Sequence, residues 1–408
     1  MVEPFRIWIT EWNISNNRFL KRRNPLWNYE VGLFYGTEVQ INLMNSIISK
    51  NYFEGYNILR LERKASSVLF HNNSVIDNIF NESQLIGSNY QAQDALCSLV
   101  GNALVYPAKL LYRYTLVVDS NFSRVVLTSG ALFSLKNGFV SFANNSFEVI
   151  ELNSGTLISS DFVALASSVD FEDADQSWAL RSAIFETNPV AATKFDNVAY
   201  LAGQYGTGQL AFFNFDGNSL AKIETRGNPL LSISGYGSKR NFLRIENNSF
   251  EGIKFFDSDS PGMVHFDYSE TLVFTNNSLK FISGKPKILS SSSESKHSRL
   301  ILVNLNLLRN STLESFFTFY GESLTDLSFS QNDFQFSVFS QSCFSIDVKK
   351  ATGAFLLEGN YFEQTEFMVT SSRSLAERYG FISIYIRDSI DESRLTVFNN
   401  RFVYIFSR

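Results

Sequence analysis

The sequence predicts an all-β solenoid, a parallel β-helix of about 14 to 16 stacked rungs, on three observations. The first is a motif that keeps returning: apolar, any, apolar, any, Asn-Asn, any, Phe or Leu. It reads Val140-x-Phe142-x-Asn144-Asn145-x-Phe147, Leu243-x-Ile245-x-Asn247-Asn248-x-Phe250, Leu272-x-Phe274-x-Asn276-Asn277-x-Leu279 and Leu395-x-Val397-x-Asn399-Asn400-x-Phe402. Weaker copies place the marker at Asn17, Asn51, Asn73, Asn121, Asn218, Asn332 and Asn360. The second is spacing. Asn121 to Asn145 is 24 residues, then 73 to Asn218, 30 to Asn248, 29 to Asn277, 55 to Asn332 and 28 to Asn360. The 73 and 55 count as about three and two units of a period of roughly 24 to 30. The third is composition: 40 Phe and only 7 Pro in 408 residues, with Ser, Thr, Val and Ile filling the ground between markers. That mixture favours strands and keeps their donors available.

Each position of the rung has a physical reason. Alternation such as Leu243-Arg244-Ile245-Glu246 sends two side chains inward and two to solvent. Asn then marks a sharp corner, because its short polar side chain tolerates left-handed backbone. Asparagines at successive corners can also bond to one another along the stack, as identical polar side chains do in in-register strands. The aromatic two places later (Phe147, Phe250, Phe334, Phe362, Phe402) points inward again, where rings of neighbouring rungs can stack.

A leucine-rich-repeat-like solenoid is the alternative. Leu302-x-x-Leu305-x-Leu307-x-x-Asn310 fits that pattern. Elsewhere its upstream apolar anchor is replaced by Asn137, Arg240, Ser269, Thr352 or Glu392, and helical periodicity is missing between the strands.

The whole chain, 1–408, reads as one solenoid, since length in such a fold counts rungs and not domains. Loop insertions are expected near 21–30, 170–178, 201–209, 233–240 and 289–299, where the rhythm breaks. The formal charge of −5 holds no basic domain and argues against nucleic acid as a partner; Lys21-Arg22-Arg23 is a short solvated run. No stretch is long and apolar enough for a transmembrane helix, and no signal peptide opens the chain. Cys97 and Cys343 would lie about nine rungs apart, roughly 45 Å at the strand spacing, and so should be two separate buried thiols.

Chemistry-bearing groups are few. Asp170, Glu172, Asp173 and Asp175 form an acidic run that could hold calcium, although the spacing is not that of an EF-hand and a solvated loop accounts for it. Asp257, Asp259, Asp267 and Glu270 form a second group of the same kind. The three histidines, His71, His265 and His297, are scattered, which supports neither a zinc site nor a Ser-His-Asp triad. His71 occupies the outward place before Asn-Asn that Ala143, Glu246 and Thr275 fill elsewhere, an ordinary surface position. The Gly-rich stretches Leu201–Gly208 and Ile233–Gly237 match no phosphate loop. Asn-x-Ser/Thr sequons begin at Asn13, Asn72, Asn81, Asn121, Asn144, Asn247, Asn276 and Asn310, about the number that chance gives in so Asn- and Ser-rich a chain.

The Asn-Asn-Ser-Phe corners, aromatic interior and loose period resemble the right-handed parallel β-helix proteins of the pectin-lyase-like superfamily. They are most similar to the large Asn- and Phe-rich repeat proteins that unicellular eukaryotes carry on membranes or at the cell surface. The resemblance runs from about Phe5 to Phe406 and implies a right-handed coil; 14 to 16 rungs at the stacked-strand spacing would make it roughly 70 Å long. Enzymes of that superfamily cleave polysaccharides with clustered Asp residues, or with Arg and calcium in lyases. Their Asn-Thr-Asp, Asp-Asp, Gly-His-Gly and Arg-Ile-Lys segments do not stand here; Arg244-Ile245-Glu246 is the nearest fragment.

The expectation is therefore a non-enzymatic scaffold that presents its lateral surface to a glycan or protein, with no cofactor and no catalytic residue assigned. The alternative is a polysaccharide lyase or glycoside hydrolase with carboxylates on adjacent rungs. The absence of a visible capping helix at either end leads us to expect a segment of a longer, surface or membrane-associated protein.

Overall fold

The computed structural model describes residues 5–20, 31–37, 39–62, 67–89, 114–135, 139–161, 210–234, 240–256, 262–267, 271–291, 297–367, 381–390 and 394–407. Among these residues the chain is all-β, and its strands pair in parallel, coil upon coil. A coil brings a strand of the apolar-x-apolar type to a first corner, then in most coils a three-residue strand to a second corner; in three coils that strand runs on through it, as Asn121–Leu135, Ser146–Asp161 and Ser219–Arg226. The three-residue strands stack in register. Ser249–Glu251 pairs with Ser278–Lys280, that with Leu307–Arg309, then Asp333–Gln335, Tyr361–Glu363 and Arg401–Val403.

The two asparagines of the first corner divide the work. The first turns the chain: Asn45, Asn72, Asn144, Asn247, Asn276 and Asn399 have φ between 51° and 59°, and Gly217 and Gly359 stand at the same place with 66° and 63°. Asn and Gly are the residues that visit this left-handed region at least cost. The second asparagine is buried and forms the ladder. Asn248 donates its backbone N–H (3.1 Å) and its Nδ2 (3.0 Å) to Oδ1 of Asn277, whose own Nδ2 reaches back to the carbonyl of Ile245 at 3.0 Å. One side chain thereby satisfies groups on two coils, which a buried corner requires.

The ladder runs Trp12, Ser46, Asn73, Ser120, Asn145, Asn218, Asn248, Asn277, Asn306, Asn332, Asn360, Asn400, each bonded to the next through its backbone N–H. That gives twelve coils among the described residues, roughly 55 Å at the strand spacing. The number is below the expected 14 to 16 because several ladder neighbours lie more than one period apart: 34 residues from Trp12 to Ser46, 47 from Asn73 to Ser120, 73 from Asn145 to Asn218 and 40 from Asn360 to Asn400. Asn145 N–H donates directly to Asn218 Oδ1 at 3.0 Å, so the two are neighbours in the ladder and the 73-residue spacing does not count as three units.

Other markers move too. Asn17 and Asn51 belong to the second corner, five residues past the first, where Asn17, Asn51 and Asn78 form a shorter ladder of their own. Asn121 lies one place beyond the ladder, which Ser120 occupies. Asn306 is a full ladder member. In its coil the interior is built by Ile301, Val303 and Leu308, while Leu305 is 53 % exposed. The leucines of the leucine-rich-repeat pattern therefore do not anchor that coil, and several strands per coil separated by corners replace the single strand of such a repeat.

The interior is aromatic. Phe19, Phe53 and Phe80 stack with centroids 4.9 and 5.0 Å apart, Phe122 and Phe147 at 4.7 Å, Phe334 and Phe362 at 4.9 Å. Ring spacing equals strand spacing, so each added coil presents a ring to the one below. Phe147, Phe250, Phe334 and Phe362 are buried as expected. Phe402 keeps the register, 4.9 Å from Phe362, yet is half exposed because no described coil stacks on its other face.

Of the insertions, 21–30, 170–178 and 201–209 lie outside the described residues. The middles of the other two, 235–239 and 292–296, also lie outside the described residues; they are flanked by the ends of strand Leu231–Ser234 and of strands Lys287–Ser291 and His297–Asn304. Arg240 opens the strand Arg240–Glu246. Cys343 is a buried free thiol, pushed well above the usual thiol range by burial; Cys97 lies outside the described residues.

Candidate binding surface

On the first facet even the outward column, Leu69, Leu116, Ser141 and Asn214, is buried, so this part of the lateral wall is not free surface. The open rows run along the corners. Outside the first corner the turn residues, with Asp216 beside the turn at Gly217, make a second row of hydrogen bonds. Asn72 donates to Asn45 at 2.7 Å, Asn144 to Asp119 at 3.2 Å, Asn247 to Asp216 at 2.8 Å and Asn276 to Asn247 at 2.7 Å. The first asparagines of the four Asn-Asn-Ser sequons thus already have partners along this row. His71, at the neighbouring position, faces Asp119 with Nε2 3.4 Å from the carboxylate.

The second corner carries the more informative row. Four residues past each ladder position stand Asn16, Lys50, Asp77, Arg124, Val149, Lys222, Gly252, Phe281, Asn310, Phe336, Gln364 and Tyr404, all with φ between 46° and 66°. Consecutive members are locked by backbone bonds: Phe281 N–H reaches Arg309 O at 3.1 Å, Asn310 reaches Gln335 at 3.1 Å, Phe336 reaches Glu363 at 3.0 Å, Gln364 reaches Val403 at 2.9 Å. At the N-terminal end of the row charges alternate, and the Arg124 guanidinium holds the exposed Asp77 carboxyl below its usual range. Further along, Val149 (43 %), Phe281 (53 %), Phe336 (47 %) and Tyr404 (68 %) are large, exposed and left-handed at once. A bulky side chain in that conformation costs roughly 1–2 kcal/mol where Asn or Gly would cost little. Bulky residues in this conformation are uncommon.

Ionisable groups also meet where sequence separation hid it. His265, Asp267 and Ser290 come together, with Nδ1 3.0 Å from Ser290 Oγ and Nε2 3.6 Å from Asp267 Oδ1. Burial pushes His265 below the ordinary histidine value of 6.5, with Asp267 pulling it up and Lys287 adding to the depression. The three residue types of a triad are present, but acyl transfer needs more. The Asp267 oxygen is beyond hydrogen-bond distance of the ring, and Ser290 sits in mid-strand between the His265 and Thr318 coils, its backbone committed to the sheet and not to an oxyanion. Carboxylates do align on neighbouring coils: Glu151 is in register with Glu224, and Asp216 with Glu246. Glu246 is held by Arg244 Nε at 2.7 Å and Thr275 Oγ1 at 3.0 Å.

Asp170 to Asp175, Asp257, Asp259 and Glu270 lie outside the described residues, as does the calcium site they could form. Among the described residues there is no group of three or more metal-ligating side chains and no helix long and apolar enough to cross a membrane. No protein-family profile matches the chain, and no curated protein does. The second-corner row escaped the sequence motif because its members share no residue type. Counting four places from each ladder asparagine would have found it.

Proposed function

We propose that this chain is a non-catalytic scaffold, a right-handed parallel β-helix like those of the pectin-lyase-like superfamily, that offers its lateral surface to a glycan or protein partner at a cell surface. One observation carries the proposal: large side chains stand exposed, at a left-handed conformation that disfavours them, along one corner of the stack. A rigid row at fixed spacing suits recognition of an extended or repeating partner, since pre-organised groups lose little freedom on binding. The surface location and the right-handed coil rest on the resemblance of the corners and the aromatic interior. The test is a panel of polysaccharides assayed for binding and for turnover together. Binding without new reducing ends or unsaturated products supports the scaffold; product formation contradicts it.

A second function, polysaccharide cleavage, is favoured by the adjacent-coil carboxylates Glu151 with Glu224 and Asp216 with Glu246. Paired carboxylates are what glycoside hydrolysis uses. If it holds, Glu224→Gln or Glu246→Gln removes a measurable turnover without changing binding.

A further inference from the structure

We propose that the second-corner row from Phe281 to Tyr404 binds an extended β-1,4-linked polysaccharide lengthwise; this rests on the scaffold function above. The residues of this stretch alternate by chemistry: Phe281, Asn310, Phe336, Gln364, Tyr404. Aromatic rings therefore recur at every second coil, which is about 10 Å at the strand spacing. Two sugar units of an extended β-1,4 chain span that length, and in such a chain alternate units present the same face to one side.

The chemistry of the intervening positions agrees. The apolar C–H face of a pyranose stacks on an exposed aromatic ring, which offers a large rigid apolar surface with little rotamer freedom to lose. Amide side chains at Asn310 and Gln364 offer a donor and an acceptor each to the hydroxyls of the units between. The row is continuous, because each corner is tied to the next coil by a backbone hydrogen bond of 2.9–3.1 Å. It is also open at the side, with Phe281 and Phe336 53 and 47 % exposed within the stack and Tyr404 68 % exposed on the last described coil. Gly252 and Asn310 at equivalent places show that the corner accepts residues without strain, so the fold itself does not call for Phe or Tyr here.

A row of evenly spaced rings reads chain length. A dimer covers one ring, whereas a hexamer spans all three, and linked contacts raise affinity steeply. The experiment is calorimetric titration of the whole chain with cellohexaose, chitohexaose and mannohexaose, and with the corresponding dimers. The three sugars distinguish which β-1,4 glycan is the source. At least one hexamer should bind at least tenfold more tightly than its dimer. The triple variant F281N/F336N/Y404N should lose that binding at least tenfold while melting no lower than the parent, since Asn suits a left-handed corner. Phe336→Trp, which enlarges the ring, should tighten binding and serves as a second readout if the triple variant folds poorly. Failure of every hexamer to bind, or equal binding by parent and triple variant with no gain from Phe336→Trp, overturns the proposed site. Cleavage of a hexamer would instead overturn the non-catalytic function on which it rests.

Discussion

Asn277 Oδ1 accepts two hydrogen bonds from Asn248 on the preceding coil, one from the backbone and one from the side chain, while its Nδ2 donates to Ile245 O. Replacing Asn277 by Ala would leave the Asn248 N–H and the Ile245 carbonyl without these partners inside a dry corner. At about 1–3 kcal/mol for each buried group left unmade, Asn277→Ala should destabilise by about 3 kcal/mol, read as a drop in the urea midpoint. Asn277→Ser should lose less, because Ser46 and Ser120 hold this position in their own coils. Equal midpoints for the parent and the Ala variant would mean the ladder contributes nothing.

The strain at the second corner makes an opposite forecast. Val149 is β-branched, exposed and at φ 56°. Val149→Asn or Val149→Gly should raise stability by about 1 kcal/mol, measured by chemical denaturation. A loss of stability would show that Val149 makes a contact that outweighs its conformation.

Phe147 lies between Phe122 and Phe215 in the interior stack, at 4.7 and 6.5 Å. Phe147→Ala should cost about 3–5 kcal/mol through the cavity it leaves. Phe147→Leu should cost less than Phe147→Ala because it leaves a smaller cavity, and Leu220, Leu279 and Leu308 already occupy the same column two residues past the ladder. Circular dichroism melts of the two variants separate the outcomes.

His265 gives a pH dependence of known sign. Its folded value lies below the ordinary 6.5, chiefly through burial, so between the two values the unfolded chain binds the proton and the folded chain does not. Stability is therefore full above about pH 6.5 and declines as pH falls through the folded value. His265→Gln should flatten the stability profile across that window relative to the parent. An unchanged slope would place the acid sensitivity elsewhere.

Much of this architecture was legible in the sequence, and the parts that were not have physical causes. Asn145, Asn248, Asn277 and Asn400 announce themselves because the turn residue before each is also Asn. Asn306 follows Leu305, a residue that seldom turns left-handed, so its corner did not look like one. Ser46 and Ser120 do the ladder's work with a hydroxyl and leave no Asn to count. Spacing misled because ladder neighbours need not be one period apart: Asn145 and Asn218 are neighbours across 73 residues. The meeting of His265 with Ser290 is invisible for the same reason: contact across coils depends on register, and the 25 residues between them give no hint of it.

Register between coils lines up residues far apart in sequence as one lateral row. A disulfide tests it most directly. Ser146 and Ser219 are partners on adjacent coils, each next to a ladder asparagine. Neighbouring parallel strands bring Cα atoms to about 4.8 Å, within the roughly 4.4–6.8 Å that a disulfide spans. In a Cys97→Ser background, Ser146→Cys with Ser219→Cys should oxidise to a single intramolecular bond. Ser146→Cys with Ser249→Cys, two coils away, should stay reduced. A bond in the second pair, or none in the first, would contradict the stack.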